Sequence, residues 1–149
     1  MRAEAASTAE RTPPARVFFA LWPDLALVAA LHDAALACAA RCGGRVMQRD
    51  TLHLTLAFLG DVPPDRLDAL RTIGDGVRAP ATEITLDRLG YWPHNRIVWA
   101  GASKMSEALV QLVQRLGEAL GAAGFRTERR PFAPHVTLLR NVEIGRAHV

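Results

Sequence analysis

The chain has 149 residues, a formal net charge of +3, and a composition that is half apolar and 22% charged. A single domain of this size buries roughly two thirds of the surface its unfolded chain would expose, and the balance of apolar to charged residues excludes a disordered or collagen-like chain. The charge bias is too mild to require an anionic partner. With Lys104 the only lysine among many arginines, it reads as codon bias as readily as phosphate recognition.

Residues 1–15 are Ala/Glu/Arg/Thr/Pro without a period and are expected to form a loose, disordered leader. They hold acidic residues and no apolar signal core. Uninterrupted apolar runs elsewhere are too short to span a bilayer, so the expectation is a cytoplasmic protein with no membrane partner. The folded domain is expected over residues 16–142. Val17-Phe18-Phe19-Ala20-Leu21-Trp22, ended by Pro23, reads as a buried strand. Leu27, Leu31, Ala34, Ala35, Cys38 and Cys42 recur at helical steps up to Gly43-Gly44. The two cysteines have no second pair, which makes them half-buried thiols rather than metal ligands or a disulfide framework.

His53-Leu54-Thr55-Leu56-Ala57-Phe58 follows, a strand with Leu54, Leu56 and Phe58 on its core side and His53 with Thr55 on the other. Pro63-Pro64 opens a second helix to about Val77. Residues 84–89 read as a strand and Tyr91 to Asn95 as a turn. Arg96 to Gly101 is again a strand, Leu109, Leu112, Val113, Leu116 and Leu120 mark a helix closed by Gly121 and Gly124, and His135 to Arg140 repeats the earlier alternation. Each half thus runs strand, helix, then a strand opening His-x-Thr-Leu, the pattern of an internal duplication. Residues 143–149 match the translation of a common sequencing adapter, so they are expected to be an artefactual tail on a frame cut near Val142.

One His-x-Thr is a weak signal; two His-x-Thr-Leu tetrads at matching places of a duplicated unit are a strong one. Positions i and i+2 of a strand point the same way, so each tetrad offers an imidazole beside a hydroxyl. Opening a cyclic phosphodiester needs one base for water and one acid for the leaving ribose oxygen, and histidine serves either role near neutrality. Threonine hydroxyls can donate to the non-bridging phosphate oxygens.

His53-Leu54-Thr55-Leu56 with Phe58-Leu59-Gly60, and Arg130-Pro131-Phe132-Ala133-Pro134-His135-Val136-Thr137-Leu138, resemble the two-histidine phosphoesterase superfamily. Within it, the likeness is to the bacterial RNA 2′,3′-cyclic phosphodiesterase (2′-5′ RNA ligase) family. Arg16 to Leu21 and Leu89 through Gly101 also look like that family. The resemblance implies an α+β, bilobed, duplicated fold, with antiparallel sheets lining a central cleft and helices outside. It implies no cofactor and no metal, and the full-length protein is expected to be a monomer. It makes His53 the proton donor and His135 the acceptor, with Thr55 and Thr137 on the phosphate. The implied substrates are RNA with 2′,3′-cyclic phosphate ends or small cyclic nucleotides. Members continue past the second motif, so C-terminal strands are expected to be missing here.

Arg130 and Arg140 flank the second motif as candidate phosphate contacts, although simple alternation puts Arg140 on the Val136 and Leu138 side. Three competing readings stand: a ligase forming 2′-5′ bonds by the same chemistry run in reverse, a non-catalytic RNA-end-binding module, and a metal site built on the two histidines. The last lacks an Asp, Glu or Cys at ligand spacing. His32 reads as a boundary residue of the first helix and His94 as a solvated turn residue, while His148 belongs to the suspect tail. Trp22, Trp92 and Trp99 read as core or rim residues able to stack on bases.

Overall fold

The computed structural model describes residues 13–127 and 131–143. Most of the expected leader, the expected tail from Ile144 onward with His148, and Arg130 lie outside the described residues. In chain order the elements are β1 (Ala15–Leu21), α1 (Leu25–Cys42), β2 (Arg45–Val46), β3 (Leu54–Val62), α2 (Leu67–Gly76), β4 (Arg88–Trp92), β5 (Ile97–Gly101), α3 (Glu107–Ala122) and β6 (His135–Arg140). Short 3-10 turns at Arg49–Thr51 and Pro64–Arg66 precede β3 and α2. The fold class is α+β with antiparallel strand pairing, as the sequence implies.

The described residues form two compact units. The first takes β1 up to Phe19, β3 from Leu56, α2 and α3; the second takes α1, β2, the start of β3, β4, β5 and β6. Each unit therefore draws its long helix from the other half of the sequence: α1 follows β1 but packs on β6 and β2, and α3 follows β5 but packs on α2. In the first unit Val62, Leu70, Leu116 and Leu120 are buried, with Val17, Phe19, Leu56 and Leu59 packed around them. Arg66 Nη2 donates to the Ala123 carbonyl at 2.8 Å and stands over the Phe125 ring, closing the end of α3.

Helix α1 starts where Pro23 ends the apolar run. Asp24 Oδ1 accepts from the Leu27 amide at 2.8 Å, an N-cap. The helix stops at Gly43, whose φ of 67° only glycine adopts without strain. Leu31 and Ala35 form its buried face. By length and composition α1 is long and apolar enough to cross a membrane, with a mean hydropathy of 1.5 over 18 residues. Asp33 and His32 break its apolar run without lowering that average far, and α1 packs on β6 and β2 as a core helix does. Both cysteines are half-buried, and burial pushes the Cys42 thiol up while its Sγ donates to the Cys38 carbonyl.

Two strand expectations need correction. The Val17 to Trp22 run is not buried throughout, since Phe18 is 37% and Trp22 60% exposed; alternation turns Val17 and Phe19 to the first unit's core and Phe18 away. The strand expected over residues 84–89 begins instead at Arg88 and runs into Tyr91-Trp92, which the sequence reading gave to a turn. The turn holds Arg96 at a φ of 56° and pairs Trp92 with Ile97, which carries the ladder back to Arg88. Just upstream, the Asp87 carboxylate accepts from the Ser103 hydroxyl and amide, bonds that hold it below the usual carboxylate range.

Candidate active site

The second unit brings both motifs to one antiparallel crossing, where Leu54 of β3 pairs with Val136 of β6. Both are buried. Their chain neighbours must point to the opposite side of the sheet, so His53, Thr55, His135 and Thr137 share it. With the strands antiparallel about this pair, His53 falls toward Thr137 and Thr55 toward His135. Each threonine accompanies the histidine of the other motif, which no local reading of His-x-Thr would suggest.

The two imidazoles are held alike. His53 Nδ1 lies 2.7 Å from the Thr51 carbonyl oxygen, and His135 Nδ1 lies 2.9 Å from that of Ala133. A carbonyl can only accept, so Nδ1 donates in both, and Nε2 is the nitrogen that gains or loses a proton. Each partner carbonyl stands two residues before its histidine, which is the duplication expressed in the site. Both histidines are half-buried.

Aromatic rings flank each one. Trp22 lies 5.3 Å from His53, centroid to centroid, and Trp92 meets His135 edge-on at 4.5 Å. Trp92 also packs against Trp99 at 5.2 Å. The Trp99 ring lies across Gly90 and Gly101, where a Cβ at either position would overlap it. Gly90→Ala is therefore expected to cost about 1–3 kcal/mol, the range for an overpacked site, and to lower turnover by moving Trp99 against Trp92 and His135. A melt and a turnover assay on the same sample check both; an unchanged melting temperature would show that Trp99 gives way freely.

Arg140 departs from the sequence expectation. Pairing with β5 runs Gly101↔His135, Ala100↔Val136 and Trp99↔Thr137, then shifts to Val98↔Leu139, leaving Leu138 as an extra residue. Val98 and Ala100 share a side of β5, so Val136 and Leu139 share a side of β6. This bulge resets the alternation, and Arg140, next after Leu139, faces the side of His135 and Thr137 instead of the Val136 side. A second basic residue on this side, Arg45, carried no sequence signal; only its pairing with Arg140 reveals it.

The remaining histidines stay apart. His32 is half-buried on α1, and its Nδ1 is buried without a hydrogen-bond partner. His94 is exposed in the β4–β5 turn, 6.2 Å from Trp92. Among the described residues no three His, Cys, Asp or Glu side chains gather as metal ligands.

Comparison with known proteins places these features in a family. The model of the 2′-5′ RNA ligase superfamily matches residues 20–144. An RNA 2′,3′-cyclic phosphodiesterase of Escherichia coli is 41% identical over 98 residues, which span 66% of this chain and 56% of that protein. One of Geobacillus stearothermophilus is 37% identical over 99 residues, 63% of this chain and 31% of that protein. The chain thus spans about half, or less, of the length of these curated relatives. The crystal structure of E. coli LigT complexed with 3′-AMP superposes with a TM-score of 0.73 at 34% identity, covering 90% of this chain and 76% of that one. With both tetrads on one side of a shared strand crossing and the family model matching most of its length, the chain belongs to the 2′-5′ RNA ligase superfamily.

Proposed function

We propose that the protein is an RNA 2′,3′-cyclic phosphodiesterase that opens a terminal 2′,3′-cyclic phosphate to a 2′-phosphomonoester. The observation that carries this reading is the Leu54↔Val136 pairing, which supports two imidazoles and two threonine hydroxyls acting on one phosphate. The relatives in E. coli and G. stearothermophilus are named for the same activity. A cytoplasmic location suits such a substrate.

His135 Nε2 takes a proton from water as its oxygen bonds to phosphorus. The bond from phosphorus to the 3′ oxygen breaks, and His53 Nε2 delivers the proton which that oxygen needs. Thr55 and Thr137 donate to the non-bridging oxygens, where negative charge builds in the transition state. Arg140, brought to this side by the bulge, adds a cation. The Nδ1 bonds to the Thr51 and Ala133 carbonyls keep each ring in the tautomer that the step requires.

Incubation with an oligonucleotide ending in a 2′,3′-cyclic phosphate, followed by identification of the product isomer, tests the assignment. A 2′-phosphate end is expected; a 3′-phosphate end or no turnover would overturn it. Turnover is expected to persist in EDTA, because both proton transfers are made by imidazoles. It should follow a bell-shaped pH profile, since one ring must begin protonated and the other neutral. Loss of activity on chelation, restored by zinc or manganese, would support the metal-ligand alternative.

A further inference from the structure

Arg45 and Arg140 are direct partners across β2 and β6, and directly opposed side chains project from the same side of a sheet. Both residues are exposed. Among the described residues neither guanidinium takes part in a hydrogen bond or an ion pair. Gly44 permits the pairing: at a φ of 93° it sits so close to the Arg140 carbonyl and Val142 that a side chain would crowd both. Like charges placed opposite one another destabilise a ladder. The gain that offsets this lies in where the pair sends the Arg140 side chain.

Because Leu138 is the extra residue of the bulge, Arg140 stands only about two residue rises beyond Thr137, roughly 7 Å at about 3.3 Å per residue. A long side chain spans such a gap, so the Arg140 guanidinium reaches the phosphate placed at Thr137. The same side chain can also fold across toward β2, where Arg45 carries the same charge. Repulsion across the ladder raises the energy of that second direction and favours the one toward Thr137.

We propose that Arg45 is a positioning residue that acts through Arg140: its charge keeps the Arg140 guanidinium off the β2 edge and on the reacting phosphate. This rests on the reading of Thr137 and Arg140 as contacts to that phosphate. Arg45 supplies charge and not shape, so a lysine replaces it, a neutral residue releases Arg140 in part, and a carboxylate captures it. An opposite charge directly across the ladder turns repulsion into an ion pair. Such a pair holds Arg140 away from the phosphate while it strengthens the joining of β2 to β6.

The test measures kcat/KM on an oligonucleotide with a 2′,3′-cyclic phosphate end, together with thermal melts, for wild type, Arg45→Lys, Arg45→Gln, Arg45→Glu and Arg140→Gln. Arg45→Lys is expected to keep most of the wild-type kcat/KM. Arg45→Gln should lose about three- to fivefold at low salt, the size of one cross-strand pair, and less at high salt, where exposed charges are screened. Arg45→Glu should fall by about tenfold or more, to the level of Arg140→Gln, yet melt no lower than wild type. In the Arg140→Gln background, Arg45→Gln should change kcat/KM by less than about twofold, since the side chain it acts through is gone. A full loss in that background would mean that Arg45 acts on the phosphate directly, and overturns the proposal. So does a melting temperature that falls in step with activity across the series, the sign of a structural role alone.

If wild type opens no cyclic phosphate, the proposed activity fails, but the positioning is still read with inorganic phosphate. The rise in melting temperature that phosphate gives wild type should persist in Arg45→Lys and be lost in Arg45→Glu, as in Arg140→Gln. An equal rise in Arg45→Glu, or none in wild type, overturns it.

Discussion

His53→Ala and His135→Ala are each expected to lower turnover by about 10²–10⁴-fold, the range for losing one positioned acid or base, while the protein keeps its fold. Both side chains are half-buried at the ends of their strands, and each has its Nδ1 on a carbonyl two residues back and a tryptophan ring beside it. Removing either ring leaves the buried Leu54 and Val136 beneath it untouched. Turnover of an oligonucleotide with a 2′,3′-cyclic phosphate end, alongside thermal melts, measures chemistry and fold separately. Residues that act as one unit lose activity non-additively, so the double variant should be little worse than the poorer single one. Near-normal turnover in either single variant with an unchanged melt would end the two-histidine mechanism.

Leu138→Ala is expected to be the most destabilising of these changes, costing about 2–5 kcal/mol and lowering the melting temperature by about 5–15 °C. Leu138 is 0% exposed, as are Leu139 and Val142 beside it. It is also the unpaired residue at the bulge, where backbone bonding to β5 is interrupted, so its packing is what retains the extra residue. On the other edge its carbonyl accepts from the Met47 amide at 3.0 Å, just beyond β2. Truncation thus loosens the segment that carries Arg140. A melt unchanged within a degree would mean that the site collapses to fill the cavity and that the bulge does not depend on this side chain.

Much of this protein is legible in its sequence because the signals are local. Helical spacing located α1 and α3, proline and glycine marked their ends, and two His-x-Thr-Leu tetrads marked the candidate reactive residues without reference to the fold. The shared side of His53 and Thr55, and of His135 and Thr137, follows from strand geometry alone. Strand boundaries near β4 were less readable. Ile84 and Leu86 are half-buried outside any strand, while the turn geometry at Arg96 and the pairing partner of Trp92 set where the ladder lies.

Three features were decided only by tertiary structure, each for a physical reason. The pairing Leu54↔Val136 sets one motif across from the other, and pairing between residues more than 80 apart leaves no mark on either segment. The bulge at Leu138 turns Arg140 to the histidine side; alternation reads a regular strand, and an extra residue reverses its outcome for everything beyond. Arg45 joins the site solely as the neighbour of Arg140 across two strands. Sequence determines which groups are present and their local direction, whereas register, which depends on the partner strand, decides which of them meet.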